Sequence, residues 1–130
     1  MTPTATPMFS VLLVDDDEKI LDIFSQFLES KGCRVHVATG GHEAVQAVRE
    51  HPVDLVMMDV RMPDLDGLEA FRQIRQAAPT VPVVLMTGYS AREDLQQLIQ
   101  AGEVEYLHKP VALDQLSKLV DRLASQRHSQ

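Results

Sequence analysis

The sequence predicts an α/β domain, a three-layer α/β/α sandwich built around a five-stranded parallel sheet. Three observations carry that prediction. Short apolar runs alternate with longer amphipathic ones along the chain, the pattern of a repeated βα unit. Glycine and proline punctuate the changes of period. Two of the apolar runs end directly in acid, the first at Asp15, Asp16 and Asp17 and the second at Asp59. Charge that closely follows a buried strand needs a partner or a task.

The elements follow in order. Phe9 to Val14 is the first strand, and Asp16 or Asp17 caps a helix whose apolar face carries Ile20, Ile23, Phe24, Phe27 and Leu28, with Gly32 as its stop. Cys33 to Ala38 is the second strand. Gly40 and Gly41 turn the chain into a helix with Ala44, Val45 and Val48 inward, stopped before Pro52. Val53 to Met58 is the third strand, with Met57 and Met58 as core. Asp64, Asp66 and Gly67 read as a turn and cap ahead of a helix from Gly67 to Ala77, in which Leu68, Phe71, Ile74 and Arg75 keep helical spacing. Pro79 and Pro82 bracket the approach to a fourth strand, Val83 to Met86, and Gly88 is the next turn. Ala91 to Ala101 is a helix with Leu95, Leu98 and Ile99 inward and Gly102 at its end. Val104 to Leu107 is a short fifth strand, and Leu113, Leu116, Val120 and Leu123 mark a last amphipathic helix. Right-handed crossovers put helices on both faces of the sheet.

Composition narrows the function. The 130 residues make one domain, 9–124, with Met1 to Met8 as a disordered leader and Ser125 to Gln130 as a polar tail or the start of a linker. A net charge of −7 argues against an extended footprint on a nucleic acid backbone. Cys33 is the only cysteine, so an intrachain disulfide and a thiolate metal site are excluded; it reads as a small buried hydrophobe. No apolar run approaches the roughly 18 to 20 residues that span a membrane, and the N-terminus lacks the features of a signal peptide, so a cytoplasmic location is expected. His36, His42, His51, His108 and His128 show no ligand spacing and read as surface residues.

The chemistry lies at strand ends on one edge of the sheet: Asp15 and Asp16 after the first strand, Asp59 after the third, Thr87 after the fourth and Lys109 after the fifth. Close carboxylates repel, and a divalent cation neutralises them. Hard oxygen ligands in an incomplete protein shell favour Mg²⁺, which keeps several waters and takes ligands from a phosphate. Acids that hold a cation, a carboxylate that can attack phosphorus, and a hydroxyl and an ammonium that can bind the transferred oxygens form a set for phosphoryl transfer. Asp15 to Asp17 alone would read equally well as the favoured charge cluster of a helix N-terminus; the distant Asp59 decides against that, although Asp17 itself fits a cap better than a ligand.

The segments VLLVDDDEKI, DVRMPDLDGLE beginning at Asp59, VVLMTGYSA and YLHKP, in that order and at βα spacings, resemble the CheY-like receiver domain of two-component response regulators, from about Phe9 to about Leu123. The resemblance implies the doubly wound, flavodoxin-like strand order 2-1-3-4-5. It further implies that Asp59 accepts a phosphoryl group from a histidine kinase or a histidine phosphotransfer protein. Asp16, assisted by Asp15, Asp59 itself and the backbone carbonyl of Arg61, would hold Mg²⁺. Thr87 and Lys109 would bind the phosphoryl oxygens, Lys109 pairing with Asp59, and the Lys109–Pro110 peptide bond would be cis. Tyr106 matches an aromatic switch position, and Arg61 and Tyr89 match positions that tune the lifetime of the phosphoryl group. Val111 departs from the phenylalanine common after that proline. The face of the fourth helix, fifth strand and fifth helix would carry the output, as a homodimer or partner surface in which Leu119 is an exposed apolar contact.

Two rival functions share the fold. A phosphorylation-independent adapter would have no need of the complete set Asp16, Asp59, Thr87 and Lys109. A flavodoxin or nucleotide hydrolase needs a hydroxyl- or glycine-rich phosphate loop, and here the loop after the first strand is acidic.

Overall fold

A computed structural model describes residues 8–88 and 93–128. Strands and helices alternate as β1 Ser10–Val14, α1 Glu18–Ser30, β2 Arg34–Ala38, α2 Gly41–Glu50, β3 Leu55–Asp59, α3 Gly67–Ala77, β4 Val83–Thr87, α4 Glu93–Gln100, β5 Glu105–His108 and α5 Leu113–His128. Every neighbouring pair in the sheet is parallel and the order is β2-β1-β3-β4-β5. This is the order the resemblance implies.

The continuous apolar runs of the central strands make sense because both faces of the sheet are covered. Alternate residues separate into two cores. Leu12, Val14, Val56, Met58 and Leu85 face a layer containing Ala44, Val45 and Val48 of α2, Leu68, Phe71 and Ile74 of α3, and Leu95 of α4. Val11, Leu13, Leu55, Met57, Val84 and Met86 face Leu21, Phe24 and Leu28 of α1 and Leu116, Leu119, Val120 and Leu123 of α5. Each such side chain removed from water contributes about 1.5–3 kcal/mol before the entropy of ordering the chain is set against it. β2 and β5 are the edges, which is why His36, Val37, Glu105 and Tyr106 keep solvent contact while β3 and β4 are buried throughout.

Local chemistry starts and stops the helices. The Asp17 carboxylate accepts the Lys19 N–H at 2.9 Å, so Asp17 is the α1 cap. Gly32 and Gly102, at φ +90° and +75°, end α1 and α4 in the left-handed region where a side chain would be strained. The Arg75 guanidinium closes the α3–β4 turn from below, donating to the carbonyls of Ala78, Pro79 and Val81 at 3.1, 3.1 and 2.7 Å.

Four expectations are corrected. On α1, Ile23 is 53% exposed and Leu21 takes the core position, because the buried stripe follows Leu21, Phe24 and Leu28. On α5 the stripe runs through Leu116, Leu119, Val120 and Leu123; Leu119 is core rather than a surface contact, and Leu113 is exposed at the first turn. α5 also continues through Ser125 to His128, so the polar segment that reads as a tail begins as helix. β3 starts at Leu55, two residues later than expected: Asp54 is occupied in a lead-in, its N–H on the Ser10 carbonyl and its carboxylate on the Ser10 N–H. Cys33 is buried, which pushes its thiol above the usual range. No helix among the described residues is long and apolar enough to cross a membrane.

Candidate functional site

β1 and β3 are neighbours, so the acids that follow them converge. Asp15 continues β1 by one residue, its N–H on the Ala38 carbonyl at 3.1 Å. Its side chain is 1% exposed, accepting the Asp17 N–H at 2.9 Å on Oδ1. Asp59, the last residue of β3, lies opposite Met86 in register and accepts the Arg61 N–H at 3.1 Å on Oδ1. Its neighbour Val60 is held to β4 through the Met86 carbonyl, which fixes the direction in which the chain leaves the strand.

The second oxygens of these two carboxylates share one cation. Lys109 Nζ donates to Asp15 Oδ2 and to Asp59 Oδ2, both at 3.0 Å. Lys109 is placed there by its own N–H, which bonds the carbonyl of Thr87, the buried last residue of β4; the Lys109–Pro110 bond is cis. Burial alone would lower the lysine's pKa, but hydrogen bonds and charge from Asp59 and Asp15 outweigh it and hold the ammonium above its ordinary range.

Asp16 completes the cluster. Ligand oxygens of Asp15, Asp16 and Asp59 all lie within 4.8 Å of one another, the one group of this kind among the described residues. Three carboxylates face one ammonium, and the imbalance favours a cation. The donors are all hard oxygens, with no imidazole or thiolate, which fits Mg²⁺ and its relatives rather than zinc or copper. Asp16 also lines an open cleft of about 470 Å³ with Val60, Arg61, Met62, Pro63 and Asp66, room for water and a phosphate beside the acids.

A family model of the response regulator receiver domain matches residues 11–121. The chain belongs to that family. The receiver is 35% identical over 119 residues to the transcriptional regulatory protein ZraR of Escherichia coli, covering 92% of this chain and 27% of that protein. It is 37% identical over 121 residues to the transcription factor SKN7 of Candida albicans, covering 93% of this chain and 22% of the other. The receiver thus spans about a quarter of the length of such regulators. Its fold superposes on the CheY-like receiver domain protein from Methanospirillum hungatei with a TM-score of 0.85 at 30% identity, covering 95% of this chain and all of the other.

The structure brings Asp15, Asp16, Asp59, Thr87 and Lys109 to one edge and sets Arg61 on the rim. Tyr106 stands on β5 opposite Leu85 and is 40% exposed. Val111 packs, half-buried, against the α1 and α5 core. Tyr89 lies outside the described residues, as does the expected start of the fourth helix.

Two contacts were not readable in the sequence. One is the second bond of Lys109, to Asp15 as well as to Asp59. The other is Asp64. Read as a local turn former ahead of α3, it instead reaches the N-terminus of α2, where its carboxylate accepts the N–H groups of Gly41 at 2.9 Å and His42 at 3.1 Å. Its only sequence signal is the Gly40-Gly41 pair far upstream: a Cβ at Gly40 would stand 2.7 Å from the Asp64 carboxyl, and one at Gly41 2.7 Å from Leu65. The loop leaving Asp59 is thereby tied to α2.

Those two backbone hydrogen bonds hold the Asp64 carboxyl below its ordinary range. Asp64→Ala is expected to cost about 1 kcal/mol, the usual worth of a capping carboxylate. A carboxyl with a lowered folded pKa stabilises above its unfolded value, so the contribution is present at neutral pH. It fades as pH falls through the folded value. Urea melts of parent and variant should differ at pH 7 and converge in strong acid; a difference that does not shrink with acid would sink this account.

Proposed function

We propose that the receiver takes a phosphoryl group onto Asp59 from the phosphohistidine of a kinase or phosphotransfer protein. The observation that supports this most strongly is the Lys109 ammonium bonded at once to Asp15 and Asp59, beside the third carboxylate of Asp16. Asp15, Asp16, Asp59 and the Arg61 carbonyl would hold Mg²⁺, which when bound supplies charge neutralisation for the phosphoryl oxygens. An Asp59 oxygen attacks phosphorus, forming the O–P bond as the N–P bond breaks, and the imidazole departs with the electron pair. Lys109 moves its donor from the carboxylates toward a phosphoryl oxygen, and Thr87 donates its hydroxyl to another. Arg61 and Tyr89 hold the positions to which the resemblance gives the tuning of the product's lifetime.

The output follows from the Thr87 movement. The hydroxyl drawn toward the phosphoryl group vacates space that the ring of Tyr106, now exposed on β5, fills by turning inward. The face of α4, β5 and α5 then offers a different surface to a partner or a second copy. Longer regulators similar to this chain include a transcriptional regulatory protein and a transcription factor, so an output in transcription fits this reading.

Incubation with acetyl phosphate and Mg²⁺, read by intact mass, tests the proposal. One phosphoryl adduct is expected on the parent, with none on Asp59→Asn and none with a chelator. No adduct on the parent under conditions that saturate the metal would overturn it and leave a phosphorylation-independent adapter.

A further inference from the structure

We propose that Asp64 is a positioning residue for the phosphoacceptor site: it ties the loop that carries Asp59 and Arg61 to the turn that holds Asp15, and so sets how tightly the acids bind Mg²⁺. The proposal rests on the reading of those acids as a Mg²⁺ site and deepens it. Asp64 is not itself a ligand. It is exposed, three residues beyond Arg61, and the cleft beside the acids is lined by its neighbours Met62, Pro63 and Asp66 rather than by Asp64.

The loop needs a directional anchor. From Arg61 to Asp66 no residue is buried and none belongs to a helix or strand. The segment starts at the Asp59 carboxylate, which accepts the Arg61 N–H, and closes at Gly67, whose N–H bonds the Val60 carbonyl. Between those points Met62 and Leu65 rest half-buried on the core, and apolar contact does not fix direction. Asp64 does: its Oδ1 accepts the Gly41 N–H at 2.9 Å and its Oδ2 the His42 N–H at 3.1 Å.

The far end of this tie leads back to the site. Gly41 opens α2 three residues after Ala38, and the Ala38 carbonyl accepts the Asp15 N–H at 3.1 Å. The β2–α2 turn is therefore bonded to the Asp15 backbone on one side and to Asp64 on the other. Mg²⁺ demands near-ideal octahedral geometry, so ligands drawn from two loops serve it only while the loops keep their spacing. Gly40 points the same way. At φ −162° its backbone is extended and open to any residue, so conformation does not call for glycine there. Space does, because a Cβ would stand 2.7 Å from Asp64 Oδ1 and 2.8 Å from its Cγ.

The test compares Mg²⁺ affinity, by calorimetry without a phosphoryl donor, in the parent, Asp64→Ala, Gly40→Ala, the double variant and Glu43→Ala. Glu43 is the control: its carboxylate accepts the Thr39 N–H at 2.7 Å in the same turn but is not bonded to the Arg61 loop. Asp64→Ala and Gly40→Ala should each weaken binding by about three- to tenfold, up to the lower end of what outer-shell changes cost at metal sites. The double variant should be no weaker than either single, because both cut one tie. Asp64→Asn, which keeps one acceptor oxygen, should fall between parent and Asp64→Ala, and Glu43→Ala should stay close to the parent. Parent affinity in Asp64→Ala, equal weakening in Glu43→Ala, or effects that multiply in the double variant would each overturn the proposal. Circular dichroism checks that every variant is folded. Amide hydrogen exchange in the metal-free proteins supplies a second readout: Asp64→Ala should speed exchange at the Arg61 N–H, and Glu43→Ala should not. An Arg61 amide unmoved by Asp64→Ala overturns the tie alone, whereas a parent that binds Mg²⁺ but takes no phosphoryl group overturns the proposed transfer alone.

Discussion

Lys109→Met, tested without divalent cation at pH 7, is expected to destabilise the receiver by about 2–4 kcal/mol, somewhat below the range for breaking a fully buried ion pair because the lysine keeps some solvent contact. The loss comes less from the bonds removed than from what stays behind. Asp15 and Asp59 are 1% and 7% exposed, and each would be left with an oxygen whose present partner is the ammonium. Their mutual repulsion and that of Asp16 would then be uncompensated. Two further results follow from the same cause. Mg²⁺ should restore more stability to the variant than it adds to the parent, because the cation does there what the lysine does in its absence. The parent should also have an alkaline limb that the variant lacks. A lysine whose folded pKa is raised stabilises fully below its unfolded value, and that contribution is lost as pH rises through the folded one. Urea denaturation with EDTA and with Mg²⁺, across pH, reads all three. A variant as stable as the parent in EDTA would mean that the acids need no counter-ion, and the electrostatic account of the site would fail with it.

The difference between what the sequence disclosed and what it withheld has a physical origin. Strands buried on both faces are written as uninterrupted apolar runs, so the ends of β1, β3 and β4 are marked by the first polar residue. Those ends are Asp15, Asp59 and Thr87. The site was legible because it is made of strand ends. Helix stripes are read from spacing alone, and spacing leaves the margins open. Ile23 and Leu21 both fit the α1 pattern, and Leu113 and Leu119 both fit α5; packing against β2 and across the α1–α5 contact chose Leu21 and Leu119. The contact between Asp64 and the start of α2 joins residues 22 and 23 positions apart on separate βα units, and no local pattern records it. The second bond of Lys109 has the same character. A pairing with Asp59 already crosses β4, which lies between β3 and β5, and the reach to Asp15 crosses β3 as well, so it depends on how deeply the ammonium enters between the carboxylates.

Gly67 offers the sharpest test of how the scaffold holds the phosphoacceptor. Its N–H donates to the Val60 carbonyl at 3.1 Å, so α3 begins directly against the residue that follows Asp59. A Cβ added there would stand 2.7 Å from the Val60 oxygen and 2.8 Å from the Val60 Cα. Both are backbone atoms, and neither can rotate away. Gly67→Ala must therefore displace the start of α3 or the exit of β3, at an expected net cost of about 1–3 kcal/mol after the small gain in helix propensity. Gly88 is the natural control: it follows Thr87 on the same edge, but a Cβ there meets nothing within 4 Å. Gly88→Ala should be neutral, or stabilising by about 0.4–1 kcal/mol through the unfolded chain. The two substitutions make the same chemical change near the same site, so a contrast in stability isolates the steric term. The functional consequence is directional as well. Moving Val60 moves Asp59 and Arg61 relative to Asp15 and Asp16, so Gly67→Ala should weaken Mg²⁺ binding and slow acetyl phosphate labelling even where the protein remains folded. Equal stability and equal labelling in the two variants would show that the β3–α3 loop is free to shift, and that the carboxylates and Lys109 alone define the site.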